Sequence, residues 1–353
     1  MSNNKSPNKA QIERLIANRK KHTSSLVPEV LIEKVLAGDQ LALSETITLL
    51  ESKNIELNKK GQEVLKACLP KSGNSIRIGI TGVPGVGKST FIESFGYYLA
   101  ELGKKVAVMA IDPSSEVSKG SILGDKTRMN RLSTHPNAFI RPTATSGSLG
   151  GVAQKTRETI LLCEAAGYEI ILVETVGVGQ SETEVHSMTD FFLLLMLAGA
   201  GDELQGIKRG IMEMADTILI TKTDGKNIKT ANLARSEYKN ALHLFPPNPN
   251  EWIPKVETIS SLENKGIEKV WNIITSFELL VTSNRWKEKK RQEQQLYWMN
   301  ETVKDKLLED FKRTPGIESK INRISDQLKA GKITSYQAAN EIIGYYKNGK
   351  GNI

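Results

Sequence analysis

A glycine-rich segment, Gly82-Val-Pro-Gly-Val-Gly-Lys-Ser89, has the residue types and the spacing that bind nucleotide phosphates. Its glycines let backbone N–H groups close around phosphate oxygens, and the dipole of a following helix adds positive charge. The lysine is expected to reach the β- and γ-phosphates, and the serine hydroxyl to bind the Mg²⁺ that accompanies the nucleotide. The residues expected to contact the nucleotide here are Gly82, Val83, Pro84, Gly85, Val86, Gly87, Lys88, Ser89 and Thr90.

The surroundings of this segment are those that a phosphate-binding loop requires. Residues 77–81 before it have the pattern of a buried strand, and residues 91–99 after it have the pattern of a helix. Apolar, β-branched runs of strand length lie at 76–81, 105–111, 138–141, 169–174, 191–197, 217–221 and 256–259. Most of these runs are separated by helical stretches, which predicts an α/β fold of the P-loop NTPase type, with a mostly parallel sheet covered by helices.

Three acidic residues are candidates for the Mg²⁺ and γ-phosphate site. Asp112 and Glu174 each follow a predicted strand, and Asp125 lies in the loop between them. In open α/β sheets ligands sit at the carboxyl ends of the strands, which places these acids near the nucleotide. A single acid after a strand often serves only as a helix cap. Two such acids downstream of a phosphate loop favour roles as Mg²⁺ ligands or γ-phosphate sensors.

The segment Thr221-Lys-Thr-Asp224 predicts that the base is guanine. The carboxylate of Asp224 accepts hydrogen bonds from N1–H and the 2-amino group of guanine, whereas adenine offers no such pair. The stem of Lys222 is expected to lie along the base and ribose. Thr221 stands where the guanine-specificity motif has Asn, so the sequence does not establish the hydrogen bond that usually ties this segment to the phosphate loop.

Two further positions bear on the nucleotide. The segment Ser260-Ser261-Leu262 follows the last predicted strand, where GTPases contact guanine O6 through backbone N–H groups. Val178 stands where Ras-like GTPases have the Gln that orients the attacking water. We therefore expect slow hydrolysis by the protein alone.

Charge and cysteine content argue against several classes of function. The net charge is +8, and residues 284–353 carry 15 basic and 9 acidic side chains, interleaved along the sequence. Such interleaving is typical of a solvated helix face, so we expect no nucleic-acid partner. Cys68 and Cys163 lie far apart and predict neither a disulfide framework nor a zinc site. No apolar run has the length of a membrane span, so we expect a cytoplasmic protein with no membrane partner.

The pattern divides the chain into three predicted regions: a helical N-terminal extension at 1–75, the nucleotide domain at 76–283 and a helical C-terminal arm at 284–353. The arm begins with a long charged helix at 284–312 that carries Trp286 and Trp298. This helix either packs on its own domain or reaches another subunit. In the second case the two tryptophans are expected to anchor a homodimer.

The motifs together resemble those of the methylmalonyl-CoA mutase-associated GTPases, the MeaB/ArgK group. They are Gly82–Thr90, Asp112–Ser115, Gly147–Gly151, Glu174–Glu182 and Gly201–Lys208. The resemblance covers nearly the whole chain and implies a GTPase that uses Mg²⁺ with GTP and GDP. It also implies a chaperone that gates adenosylcobalamin loading into an acyl-CoA mutase and helps to eject damaged cofactor, acting as a homodimer joined through C-terminal helices.

The resemblance further implies which residues act. Lys88, Ser89, Asp112, Asp125 and Glu174 would serve the phosphates and Mg²⁺. The segment 199–215, with Asp202 and Lys208, would be a mobile loop that responds to the mutase. The alternative function is a transport-linked P-loop ATPase or a small-molecule kinase, and Asp224 distinguishes the two because an ATP enzyme has no use for it.

Overall fold

The computed structural model describes residues 26–112, 129–144, 149–175, 181–198 and 209–350. The strands are β1 (Ile76–Gly82), β2 (Val106–Asp112), β3 (Ala138–Ala144), β4 (Ile170–Thr175), β5 (Phe191–Leu197), β6 (Thr217–Thr221) and β7 (Lys255–Thr258). The helices are α1 (Pro28–Leu36), α2 (Gln40–Glu51), α3 (Ile55–Cys68), α4 (Lys88–Glu101), α5 (Asn130–Ser133), α6 (Leu149–Ala165), α7 (Ser181–His186), α8 (Arg209–Met214), α9 (Ile228–Leu242), α10 (Ile267–Ser283), α11 (Trp286–Arg313), α12 (Ile317–Lys329) and α13 (Ser335–Lys350).

The seven strands form one sheet in the order β3-β2-β4-β1-β5-β6-β7, and every neighbouring pair is parallel. Successive residues of β5 belong to two separate apolar clusters: Leu193 and Leu195 pack with α4 and α10, whereas Leu194 and Met196 pack with α9. Because neighbouring side chains of a strand point to opposite faces, helices cover both faces of the sheet. The predicted fold class is confirmed.

The N-terminal helices pack beside the β3 edge of the sheet. Asp39 caps α2 by accepting a hydrogen bond from the N–H of Ala42 at 2.8 Å. The guanidinium of Arg141, in β3, lies 2.5 Å from the carboxylate of Glu51 at the end of α2. These contacts join the helical extension to the same compact unit as the sheet.

A buried ionic cluster fixes the amino ends of the two central strands. Arg291 of α11 makes two hydrogen bonds, of 2.8 and 2.7 Å, to the carboxylate of Asp190 immediately before β5. The same guanidinium donates to the carbonyl oxygen of Ser75, immediately before β1, at 2.8 Å. Arg77 of β1 donates its backbone N–H to Asp190 and pairs through its side chain with buried Glu164 of α6.

The charges in this cluster favour the ionised form of Asp190. Burial alone would raise the pKa of its carboxyl group, but the hydrogen bonds and charge of Arg291 reverse that effect. Arg77 and Lys287 add further positive charge, and the net result is a pKa well below the usual range. Asp190 is therefore an anion in the interior whose stability depends on the neighbouring guanidinium.

The chain divides into two compact units, Met1–Gln294 and Gln295–Ile353, and the boundary falls inside α11. In the second unit the hydroxyl of Tyr346 donates to the carboxylate of Asp310 at 2.7 Å, and Ile324 is buried. Among the helices of the described ranges, none has the length and apolarity needed to cross a membrane.

The chain itself buries one tryptophan of the long helix and partly buries the other. Trp286 packs against the apolar cluster of the first unit, and Trp298 is only 4% exposed. The expectation that Trp298 anchors a second copy is therefore wrong, and Trp286 already packs in part against the chain's own apolar cluster. Their aromatic character and helical spacing gave no indication that each already has its partners within the chain.

We predict that Arg291→Ala lowers the free energy of unfolding by about 3–5 kcal/mol, because it leaves the Asp190 carboxylate buried without its partner. Urea unfolding followed by circular dichroism measures this change. The folded-state pKa of Asp190 lies below its unfolded value, so the wild-type contribution is present above about pH 4 and is lost at lower pH. The difference in unfolding free energy between the wild type and Arg291→Ala should therefore become smaller as the pH falls below about 4.

The matched control is Lys104→Ala, which removes an exposed ion pair with Glu169. Exposed pairs contribute about 0–1 kcal/mol, so this variant should unfold close to the wild type. Equal losses in the two variants would contradict the role assigned to Arg291.

Candidate nucleotide-binding site

The glycine-rich loop joins the end of β1 to the start of α4. Gly82 has a φ of 153°, and a Cβ there would lie 2.5 Å from the carbonyl oxygen of Leu195 in β5. Only glycine permits this close approach of the two strands. Gly87 has a φ of 100° and precedes the first residue of α4, Lys88. The unpaired N–H groups of the first helical turn therefore lie at the loop, where they can bind an anion.

The ammonium group of Lys88 is held inside the loop. Its Nζ donates to the carbonyl oxygen of Gly82 at 2.7 Å and to that of Val83 at 3.3 Å. Burial lowers the pKa of Lys88, and the negative charges of Glu174 and Glu182 oppose this shift. A confined cation beside backbone N–H groups is an arrangement suited to polyphosphate.

Oxygen groups suited to Mg²⁺ lie next to the loop. The hydroxyl of Ser89 donates to Oε1 of Glu174, a buried residue near the end of β4, at 3.1 Å. Hydroxyl and carboxylate oxygens are ligands that Mg²⁺ prefers, and this ion commonly takes its remaining ligands from nucleotide and water. Within the described residues no group of three or more His, Cys, Asp and Glu could hold a metal ion. The donors present fit a metal shared with a nucleotide.

Several predicted residues fall outside what the structure describes. Asp125, Val178, Asp202 and Lys208 lie outside the described residues, and their roles stay predictions. Asp112 is the last residue of β2, and the description there extends only to its backbone. β2, β4 and β1 are parallel neighbours in the sheet, so their carboxyl ends lie on the same side of it. Asp112 therefore ends its strand on the side of the sheet where the phosphate loop begins.

The predicted base-binding segment is tied to the phosphate loop by the residue that departs from the motif. The hydroxyl of Thr221, at the end of β6, donates to the carbonyl oxygen of Val86 at 2.8 Å. The next residue, Lys222, donates from its Nζ to the carbonyl oxygen of Gly85 at 2.8 Å. The threonine thus makes the connection that the sequence did not establish, because its hydroxyl is also a hydrogen-bond donor.

Asp224 lies beside the turn that follows β7, as the two predicted base-contacting segments require. The buried hydroxyl of Ser260 donates to Oδ2 of Asp224 at 3.0 Å and accepts from the N–H of Glu263 at 3.2 Å. The N–H of Thr223 donates to the carbonyl oxygen of Ile259 at 3.2 Å. The carboxylate is therefore oriented by a neighbouring side chain before any ligand is considered.

The expected role of Ser260 requires a correction. Its backbone N–H donates to the carbonyl oxygen of Lys265 at 3.0 Å and is not available for a base. Ser260 instead contributes its hydroxyl, which holds Asp224. Sequence reasoning missed this role because it considered only the backbone of the segment, although serine offers a side-chain donor as well. Ser261 and Leu262 remain the candidates for backbone contact with the base.

The chain is similar to proteins of known family along most of its length. The family model described as methylmalonyl Co-A mutase-associated GTPase MeaB matches residues 43–316. GTPase ArgK of Escherichia coli K12 is 48% identical over 288 residues, which cover 80% of this chain and 87% of that protein. The mitochondrial methylmalonic aciduria type A homolog of Mus musculus is 43% identical over 324 residues, covering 89% and 78%.

A solved structure shows the same fold. The crystal structure of a LAO/AO transport system kinase superposes with a TM-score of 0.74 at 35% sequence identity, covering 92% of this chain and 100% of that one. The fold, the phosphate loop and the sequence similarity agree. The chain is a GTP-hydrolysing enzyme and belongs to the family of methylmalonyl-CoA mutase-associated GTPases described as MeaB.

Proposed function

We propose that this GTPase is a chaperone of an adenosylcobalamin-dependent acyl-CoA mutase, namely methylmalonyl-CoA mutase. In this function it gates the loading of the cofactor and protects or reactivates the mutase. The observation that carries the proposal is the match of residues 43–316 to a family described by its association with that mutase. The name of the mouse relative, a methylmalonic aciduria type A homolog, supports the same connection.

The site residues take the following roles in this proposal. Lys88 and the N–H groups of the loop bind the β- and γ-phosphates, and Lys222 with Asp224 binds the base. Ser89 and Glu174, with Asp112 and Asp125, serve Mg²⁺. The list of loop residues in contact with the nucleotide is the one predicted from the sequence, from Gly82 to Thr90. When bound, Mg²⁺ neutralises charge that develops on the phosphates.

We expect the wild-type protein to bind GDP more tightly than ADP by at least about 2 kcal/mol, because Asp224 finds no donor pair on adenine. Asp224→Ala should abolish most of this preference. Isothermal titration calorimetry with both nucleotides measures it, and Asp326→Ala, which removes an exposed acid of the second unit, is the control. An unchanged preference in Asp224→Ala would remove this residue from base recognition.

The solved relative described as a transport system kinase favours a second candidate function. In that case the protein would be a transport-linked P-loop ATPase or a small-molecule kinase. The same calorimetry separates the candidates, since a wild-type protein that binds ADP as tightly as GDP would favour the ATP-dependent function. The hydrogen bond from Ser260 to the Asp224 carboxylate supports guanine as the base, because it orients an acceptor of the kind that the donors of guanine require.

The proposed response to the mutase lies in the segment 199–215. β5 leads into this segment, and Leu195 near the end of β5 is paired with Gly82 of the phosphate loop. The short helix α8 follows within it. A partner that binds here would therefore act next to the phosphates, through residues that include Asp202 and Lys208.

We expect GTP hydrolysis to be slow in the protein alone and faster when the mutase is added, because Val178 cannot orient water. Asp202→Ala and Lys208→Ala should keep basal turnover and lose most of the acceleration. Phosphate release with the mutase titrated in measures both quantities, and Lys239→Ala, which changes an exposed side chain of α9, is the control. Full acceleration in both variants would exclude the segment, and no acceleration in the wild type would contradict the chaperone function.

A homodimer is also part of the proposal. Four apolar residues recur at spacings of three and four along the part of α11 that belongs to the second unit, and each is between 51% and 60% exposed. They are Leu296, Met299, Val303 and Leu307. This spacing places them on one face of the helix, where a second copy of the chain would cover them.

We predict that Val303→Asp converts a dimer to a monomer, since a carboxylate in an apolar interface has no partner. Light scattering coupled to size exclusion at micromolar concentration measures the mass. Lys312→Glu, which changes an exposed residue on the opposite side of α11, should leave the dimer intact. A monomeric wild-type protein would refute the proposed dimer.

A further inference from the structure

One side chain of α4 is joined to the turn that follows β7. The hydroxyl of Ser94 donates to the carbonyl oxygen of Ser261 at 2.7 Å and contacts Oδ1 of Asn264 at 2.9 Å. These partners lie 167 and 170 residues further along the chain. Ser94 is half-buried, so the bonds are partly shielded from water.

The turn held by Ser94 has two backbone donors to offer. Ser260 and Lys265 exchange backbone hydrogen bonds of 3.0 and 2.9 Å, which close the turn, and Asn264 within it has a φ of 52°. Among the described residues, none accepts a hydrogen bond from the N–H of Ser261 or from that of Leu262. Both groups are therefore available to an acceptor such as a carbonyl oxygen on a ligand.

The same helix carries the groups expected to bind phosphate. Lys88 and Ser89 form its first turn, and Ser94 lies roughly 9 Å further along the axis, from a rise of about 1.5 Å per residue. A helix is rigid over this length. The contact of Ser94 therefore sets the position of the turn relative to the phosphate loop. The phosphate end and the base end of a bound nucleotide would then both be positioned by the same helix.

We infer that Ser94 is a positioning residue for recognition of the 6-oxo group of the base. It holds the carbonyl of Ser261, and thereby places the N–H groups of Ser261 and Leu262 where O6 of the base arrives. The inference rests on the proposed guanine site, in which Asp224 accepts from N1–H and the 2-amino group. Asp224 and the turn thus recognise different atoms of the base. Ser94 affects only the recognition of O6 by the turn.

Three diphosphates separate these contacts when titrated into the full-length protein by calorimetry. GDP has O6, N1–H and the 2-amino group, IDP has O6 and N1–H without the 2-amino group, and 2-aminopurine riboside diphosphate has the 2-amino group without O6 or N1–H. Ser94→Ala should weaken the binding of GDP and of IDP equally, by about fivefold, which is the typical effect of one lost hydrogen bond. It should leave the affinity for the 2-aminopurine nucleotide unchanged.

Two further variants serve as controls. Ser94→Thr keeps a hydroxyl and should retain the wild-type affinities. Ser236→Ala removes an exposed serine whose hydroxyl donates to the carbonyl oxygen of Asn232 within α9, at 3.1 Å, and should change none of the three affinities. Thermal unfolding of each variant identifies any general loss of stability.

Two results would overturn the inference. If Ser94→Ala weakens the binding of all three nucleotides equally, Ser94 supports the fold or the phosphate loop rather than O6 recognition. If it weakens none of them, the contact has no part in binding. Failure of the proposed guanine site itself is distinguishable, because the wild-type protein would then bind GDP no better than ADP.

Discussion

The pairing of Arg291 with Asp190 is the contact on which the arrangement of the central strands depends. Asp190 precedes β5, and the same guanidinium binds the backbone just before β1, so a single side chain fixes the amino ends of both strands. The carboxyl ends of these strands carry the phosphate loop and lead into the segment at 199–208. Because the carboxylate is buried, any shift that separates it from the guanidinium leaves a charge unpaired in the interior. The ionic cluster at one edge of the sheet thus supports the geometry of the nucleotide site at the other.

Hydroxyl side chains make the connections among the segments of the nucleotide site. Thr221 reaches the phosphate loop, Ser260 holds Asp224, and Ser94 holds the turn after β7. A hydroxyl is short and rotates to suit its partner, so each of these bonds forms only where two backbones already lie close together. These hydrogen bonds therefore depend on close packing of the strand ends, as at Gly82 and Leu195. Because the backbones already lie close together, the short side chain of Thr221 can replace the longer asparagine at the end of β6.

The sequence predicted the strands well because a parallel sheet covered on both faces requires nearly continuous apolar runs, of which Phe191–Leu197 is an example. The phosphate loop was equally clear, since its glycines and its lysine have a fixed spacing. Contacts between distant segments left no such signal. Thr221 and Val86 are 135 residues apart, and Arg291 and Asp190 are 101 residues apart. Helical periodicity also identified Trp286 and Trp298 as apolar without showing that the chain itself packs against them, which is the reason for the wrong expectation that Trp298 anchors a second copy.

The position of Arg291 late in the sequence has a consequence for biosynthesis. A chain made from its amino terminus contains β1, β5 and Asp190 long before α11 exists, so these strands emerge while the buried carboxylate still lacks its guanidinium. Domains generally fold as units during synthesis, and this unit is complete only when Gln294 has been added, three residues after Arg291. Nascent chains that stop before α11 should therefore be substrates for molecular chaperones and proteases rather than partially active enzymes. Quality control in the cell would thus remove truncated copies before they could compete for nucleotide.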